Sequence, residues 1–159
     1  GFSYDLRLRR GLSQFHASHK SKQIKAERNW IGRENIYMEI FKEWLQNNGY
    51  RFSVEPFGIT FKHQGGNFII GNNTGDNSYL QILMPGVYTL NNPSEKQHGL
   101  EVCNELNKEI KCIKAFFFDD ETIWLATEMF IDHTPELDDF MERLFGILHT
   151  GQLKLLAKL

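Results

Sequence analysis

Apolar positions recur at two spacings along this chain, and each switch between them marks an element. Over residues 35–49 the spacing is helical. Tyr37, Ile40, Phe41, Trp44 and Leu45 fall three and four residues apart and form one stripe. Asn48-Gly49 stops it, because glycine accepts the left-handed conformation needed past a last helical turn. The period then drops to two. YRFSVE alternates Tyr50, Phe52 and Val54 with Arg51, Ser53 and Glu55, and Pro56 and Gly58 punctuate it. GITFKHQGGNFIIGNN reads as a hairpin turning at Gly65-Gly66. The polar loop NNTGDNS leads to a fourth strand, YLQILMPGVYTL, where Pro85-Gly86 predicts a bulge, a bend or an edge position.

NNPSEK opens a second helix. Asn92 is its cap, Pro93 suits the first helical position, and Glu95 stands three residues after the cap. Leu100, Cys103, Leu106 and Ile110 supply the buried stripe. Two apolar runs follow, KCIKAFFF and TIWLATEMFI, on either side of Asp119-Asp120-Glu121. The last helix is predicted to open at Thr134-Pro135-Glu136 and to bury Leu137, Phe140, Met141, Leu144, Phe145 and Leu148. Gly151 reads as its end, with LKLLAKL as a helical continuation or a partner-binding tail. The order α-β-β-β-β-α-β-β-α predicts an α+β fold with an antiparallel sheet flanked by helices. Residues 34–159 form one domain, preceded by a basic, partly helical extension over 1–33.

The pattern around the acidic turn has a consequence for binding. Phe117 falls on one sheet face, and Phe116 and Phe118 on the other. Across the turn, Ile123, Leu125 and Met129 share one face, while Trp124, Ala126 and Phe130 share the opposite one. Helices on one side of the sheet account for only half of this. The second apolar face needs another cover: the N-terminal arm, the C-terminal tail or a second subunit. Phe116, Phe118, Trp124 and Phe130 are therefore the candidate partner-binding residues.

Charge divides the chain in two. Residues 1–33 hold eight basic side chains against Asp5 and Glu27, a surplus of six, so the net charge of −2 leaves −8 on the remainder. A solvated basic arm, or one docked on its own acidic body or that of a twin subunit, is expected over nucleic-acid or lipid binding. No apolar run is long enough for a transmembrane helix, and GFSYDLRLRR lacks the apolar stretch of a signal peptide. Cys103 and Cys112 are expected as reduced thiols of a cytoplasmic protein, Cys103 on an apolar helix face and Cys112 at a strand start.

Candidate chemistry is sparse. Asp119, Asp120 and Glu121, with Glu128, Asp132 and His133 downstream, are the residues a metal-dependent hydrolase would use. Neighbouring strand residues point to opposite faces, however, and Asp-Asp-Glu between two β-rich runs is turn chemistry. His16 and His19 have helix-face spacing but no third ligand. HQGGNF lacks the lysine of a phosphate-binding loop. No catalytic residue, metal or cofactor is expected.

The stretch LEVCNELNKEIKCIKAFFFDDETIWLATEMFIDHTPELDDFMERLFGIL resembles the YbjN-like family, bacterial candidate regulators of sensory transduction. The likeness lies in a helix ending at Asn107, a strand, the acidic turn, a second strand with the late acid Glu128, and a closing amphipathic helix. The helix ending at Gly49 and YRFSVEPFGITFKHQGGNFII fit as well, so the resemblance covers roughly residues 35–150. It implies a type III secretion chaperone-like fold, with a curved antiparallel sheet, and a homodimer that binds polypeptide clients. It implies an interaction module and no enzymatic reaction.

Overall fold

A computed structural model of the chain describes residues 36–159, apart from 74, 75 and 77. The basic extension and the His16–His19 pair lie outside the described residues. The elements run α1 (Ile36–Asn47), β1 (Phe52–Glu55), β2 (Gly58–His63), β3 (Gly66–Gly71), β4 (Tyr79–Thr89), α2 (Lys96–Glu109), β5 (Lys114–Phe117), β6 (Thr122–Phe130) and α3 (Met141–Lys158). The six strands form one curved, open antiparallel sheet in the order β1-β2-β3-β4-β6-β5. The fold is α+β, in the order read from the periodicity.

Local chemistry explains most boundaries. Gly49 sits at φ 78° after α1, its N–H donating to Gln46 O and that of Tyr50 to Leu45 O. This paired arrangement closes the helix's last carbonyls. The β2–β3 hairpin turns at Gln64-Gly65, one residue earlier than expected, with both residues at positive φ and His63 opposite Gly66. Two left-handed residues match the turn to the strands' own twist. Pro85-Gly86 makes a bulge where β4 slips register against β6 between Met84 and Tyr88, within the sheet's interior. Asn92 accepts from Ser94 N–H, and Glu95 reaches back to Asn91 N–H, so a short 3-10 turn leads into α2.

Two expectations at the C-terminal helix need correction. Thr134-Pro135-Glu136 does not start it. A 3-10 turn spans Leu137–Asp139, Phe140 leaves helical geometry, and α3 begins at Met141. Residues 133–138 are instead tied back to α1: Trp44 Nε1 donates to Asp138 Oδ1 at 2.7 Å, and Tyr37 meets His133 Nδ1 at 3.3 Å. These contacts outweigh the local cap signal. Nor does Gly151 end α3. It is buried mid-helix, where a Cβ would come within 2.2 Å of Ile113 Cδ1 and 3.2 Å of Leu125 Cδ1. The missing side chain lets the helix lie close against the sheet.

One core joins the three helices to one sheet face. Phe41 and Leu45 of α1, Val102 and Leu106 of α2, and Phe145 and Leu148 of α3 meet Ile59, Phe61, Phe68, Ile70, Ile82, Ile123 and Leu125. Phenylalanine dominates its centre: Phe145 touches Phe61 and Phe68 at centroid distances of 5.2 and 5.4 Å. Thr127, 1% exposed, is the exception. Its hydroxyl has no hydrogen-bond partner.

Candidate functional site

The acidic turn closes on itself. Asp119 Oδ1 accepts from the backbone N–H groups of Glu121 and Thr122 at 2.9 and 2.6 Å. Asp120 projects into solvent beside Lys96, 3.7 Å away. His133 sits on α1's Tyr37. The acids of the metal-hydrolase reading therefore do not converge. Among the described residues, no three His, Cys, Asp or Glu side chains gather as a metal-holding group.

Cysteine placement also differs from expectation at one residue. Both thiols are free. Cys103 is buried in α2, and burial pushes its thiol up to about 11. Cys112 is exposed in the turn between α2 and β5, at φ 62°, rather than at a strand start.

The β5–β6 hairpin separates its side chains as the alternation requires. Phe117, Ile123 and Leu125 face the core, while Phe116, Phe118, Trp124, Ala126, Glu128 and Phe130 face the other way. On that face, open in that none of the described helices packs on it, Phe116 lies opposite Trp124, and Phe118 stacks on Trp124 with centroids 4.1 Å apart. Trp124 is 4% exposed, although it lies outside the helix-side core. Phe116 and Phe118 are half-buried, and Phe130 is 77% exposed. The apolar strip continues through Ala126 and Leu83 to Ile69, which lie side by side across β6, β4 and β3, Ala126 and Ile69 being buried.

A polar cluster borders the strip, and reading along the sequence missed it. Glu128 accepts from Gln81 Nε2 at 2.8 Å and Lys114 Nζ at 3.4 Å. Tyr79 stands near the same carboxylate and packs against Phe130, with ring centroids 6.1 Å apart. Lys114 also stands over the Phe116 ring, 5.6 Å from its centre. Burial opposes the Glu128 charge, but Gln81, Tyr79 and Lys114 together outweigh it and lower its pKa. Burial first, and then the Glu128 carboxylate, push the Tyr79 hydroxyl far above its usual range. The alternation of Tyr79 and Gln81 in YLQIL was the available signal. Pairing with Glu128 and Lys114 depends on strand register across 47 and 14 residues of chain.

No family model matches the chain, and no curated protein does. Among solved structures, YbjN of E. coli, described as a candidate transcription regulator, superposes with a TM-score of 0.59, covering 76% of this chain and 89% of that one. The chain has a YbjN-like fold. An uncharacterized protein from Methanothermobacter thermautotrophicus superposes with a TM-score of 0.53, over 75% of this chain and 93% of its own. Identities of 13% and 12% make this a likeness of architecture. Within the YbjN-like sheet, one face is filled by helices and the other carries the aromatic strip and the Glu128 cluster. No helix among the described residues is long and apolar enough to cross a membrane.

Proposed function

We propose that this chain is a non-enzymatic protein-interaction module, a regulator or chaperone-like protein that acts as a homodimer. Its partner surface is the open face of the β5–β6 hairpin, with Phe116, Phe118 and Phe130 as contacts and Trp124 as the buried floor beneath Phe118. The observation that carries this reading is Phe130. A large aromatic residue left 77% exposed, on the same sheet face as half-buried Phe116 and Phe118 but at the far end of β6, opposite Tyr79, is costly to hydrate and favourable to cover. Lys114, Gln81 and Glu128 lie between Phe130 and the other aromatics, so that surface offers polar contacts among apolar ones. The YbjN-like fold supports a regulatory role over a catalytic one.

Light scattering on the full chain tests the reading. The expected mass is twice that of the 18.6 kDa chain at micromolar concentration. A monomer at every concentration contradicts the homodimer.

A further inference from the structure

β5 is an edge strand, and its outer side is occupied by side chains of α2. The pairing of β5 with β6, together with Phe118 N–H donating to Thr122 O at 2.9 Å, places the hydrogen-bonded pairs at Lys114, Phe116 and Phe118. In an antiparallel ladder the intervening residues, Ala115 and Phe117, turn their backbone groups to the outside. Asn107 meets Ala115 there. Its Oδ1 accepts from Ala115 N–H at 2.8 Å and its Nδ2 donates to Ala115 O at 3.2 Å. One carboxamide thus makes the two bonds that a neighbouring strand would make. At the other end Lys96 lies over the Phe117 ring, 3.8 Å from its centre, and donates to Asp120 O at 2.9 Å. Gly99 lets α2 come this close, since a Cβ there would sit 2.8 Å from Phe117 Cζ.

We infer that α2 guards the β5 edge, with Asn107 acting as a one-residue substitute strand that prevents a second copy of β5 from adding to the sheet. A bare edge strand is a template for pairing, and two identical edges meet antiparallel about a two-fold axis. Lysine at an edge is a further deterrent, because a docking strand would have to bury its charge. The carboxamide is decisive because it takes both outward backbone groups of Ala115, one of the two residues at which such a pairing would form. The guard acts on the edge and is independent of any dimer formed through the open face.

The experiment is light scattering on the full chain over a range of concentration, with the parent's own mass as reference. Asn107→Ala removes both bonds and bares the edge. Asn107→Ser, too short to reach Ala115, is run beside it so that the readout survives if one variant fails to fold. The expected result for either is a mass that climbs with concentration towards double the parent's, with faster hydrogen exchange at the Ala115 amide. Asn107→Asp also weakens the contact, losing the donor to Ala115 O, but it leaves a charge on the edge and is expected to keep the parent's mass. The inference is overturned if the Ala and Ser variants keep the parent's mass at every concentration. It is equally overturned if the Asp variant associates as they do, since association would then follow from destabilisation alone.

Discussion

Leu125 and Phe130 stand on one strand, five residues apart and on opposite faces, and they meet opposite fates. Leu125 is wholly buried against α3, whereas Phe130 is the most exposed large apolar side chain among the described residues. The same contrast holds for the two sheet faces. The helix side is filled by aromatic and aliphatic packing from all three helices, while the open side carries an aromatic strip with a polar border. The helix-side core is packed on one face, and on the other Trp124, Ala126 and Ile69 are buried while Phe130 is left exposed. Substitutions on the two faces should separate folding from association.

The largest effect is expected at Leu125→Ala, which should cost ~2–5 kcal/mol in chemical denaturation, because it opens a cavity where α3 leaves no room to collapse. A loss below that of surface substitutions would erase the distinction between faces. Next comes Thr127→Val, which should raise stability by about 1 kcal/mol. Its hydroxyl is buried on the core side without a partner, so the change removes a desolvated group and keeps the shape.

The Glu128 cluster sharpens the comparison through pH. A carboxylate whose folded pKa is lowered contributes stability above the usual glutamate range, and that contribution is lost as pH falls through the lowered value. Glu128→Gln should therefore show a shallower loss of stability in acid, below about pH 4.3, than the parent in thermal melts. The smallest stability effect is expected at Phe130→Ser, within about 0.5 kcal/mol, since no core contact is lost. Its consequence belongs to association.

Much of the fold was legible because its signals are local. The Gly49 stop, the Pro85-Gly86 bulge, the Asn92 cap and the self-capping Asp119 turn each depend on residues within a few positions. The failures occurred where distant partners intervene. Thr134-Pro135-Glu136 has good helix-start chemistry, but Trp44 and Tyr37 on α1 draw that segment into another path. Gly151 looked like a terminator because its close neighbours, Ile113 and Leu125, are far away in sequence. At the open face, alternation sorted Phe116, Phe118, Trp124 and Phe130 onto one side. It did not show that Phe118 would close over Trp124, or that Tyr79, Gln81 and Lys114 would gather on Glu128. Those arrangements follow from register and from the strand order that places β6 between β4 and β5.

The most direct test is sedimentation of three proteins at one micromolar-range concentration: the parent, Phe130→Asp with Phe116→Asp on the open face, and Leu153→Asp on α3. Leu153 is 70% exposed, so it controls for loss of an exposed apolar side chain elsewhere on the surface. The account predicts a dimer for the parent and for Leu153→Asp, and a folded monomer for the open-face variant. A dimer that survives the open-face substitutions, or is lost equally with Leu153→Asp, contradicts it.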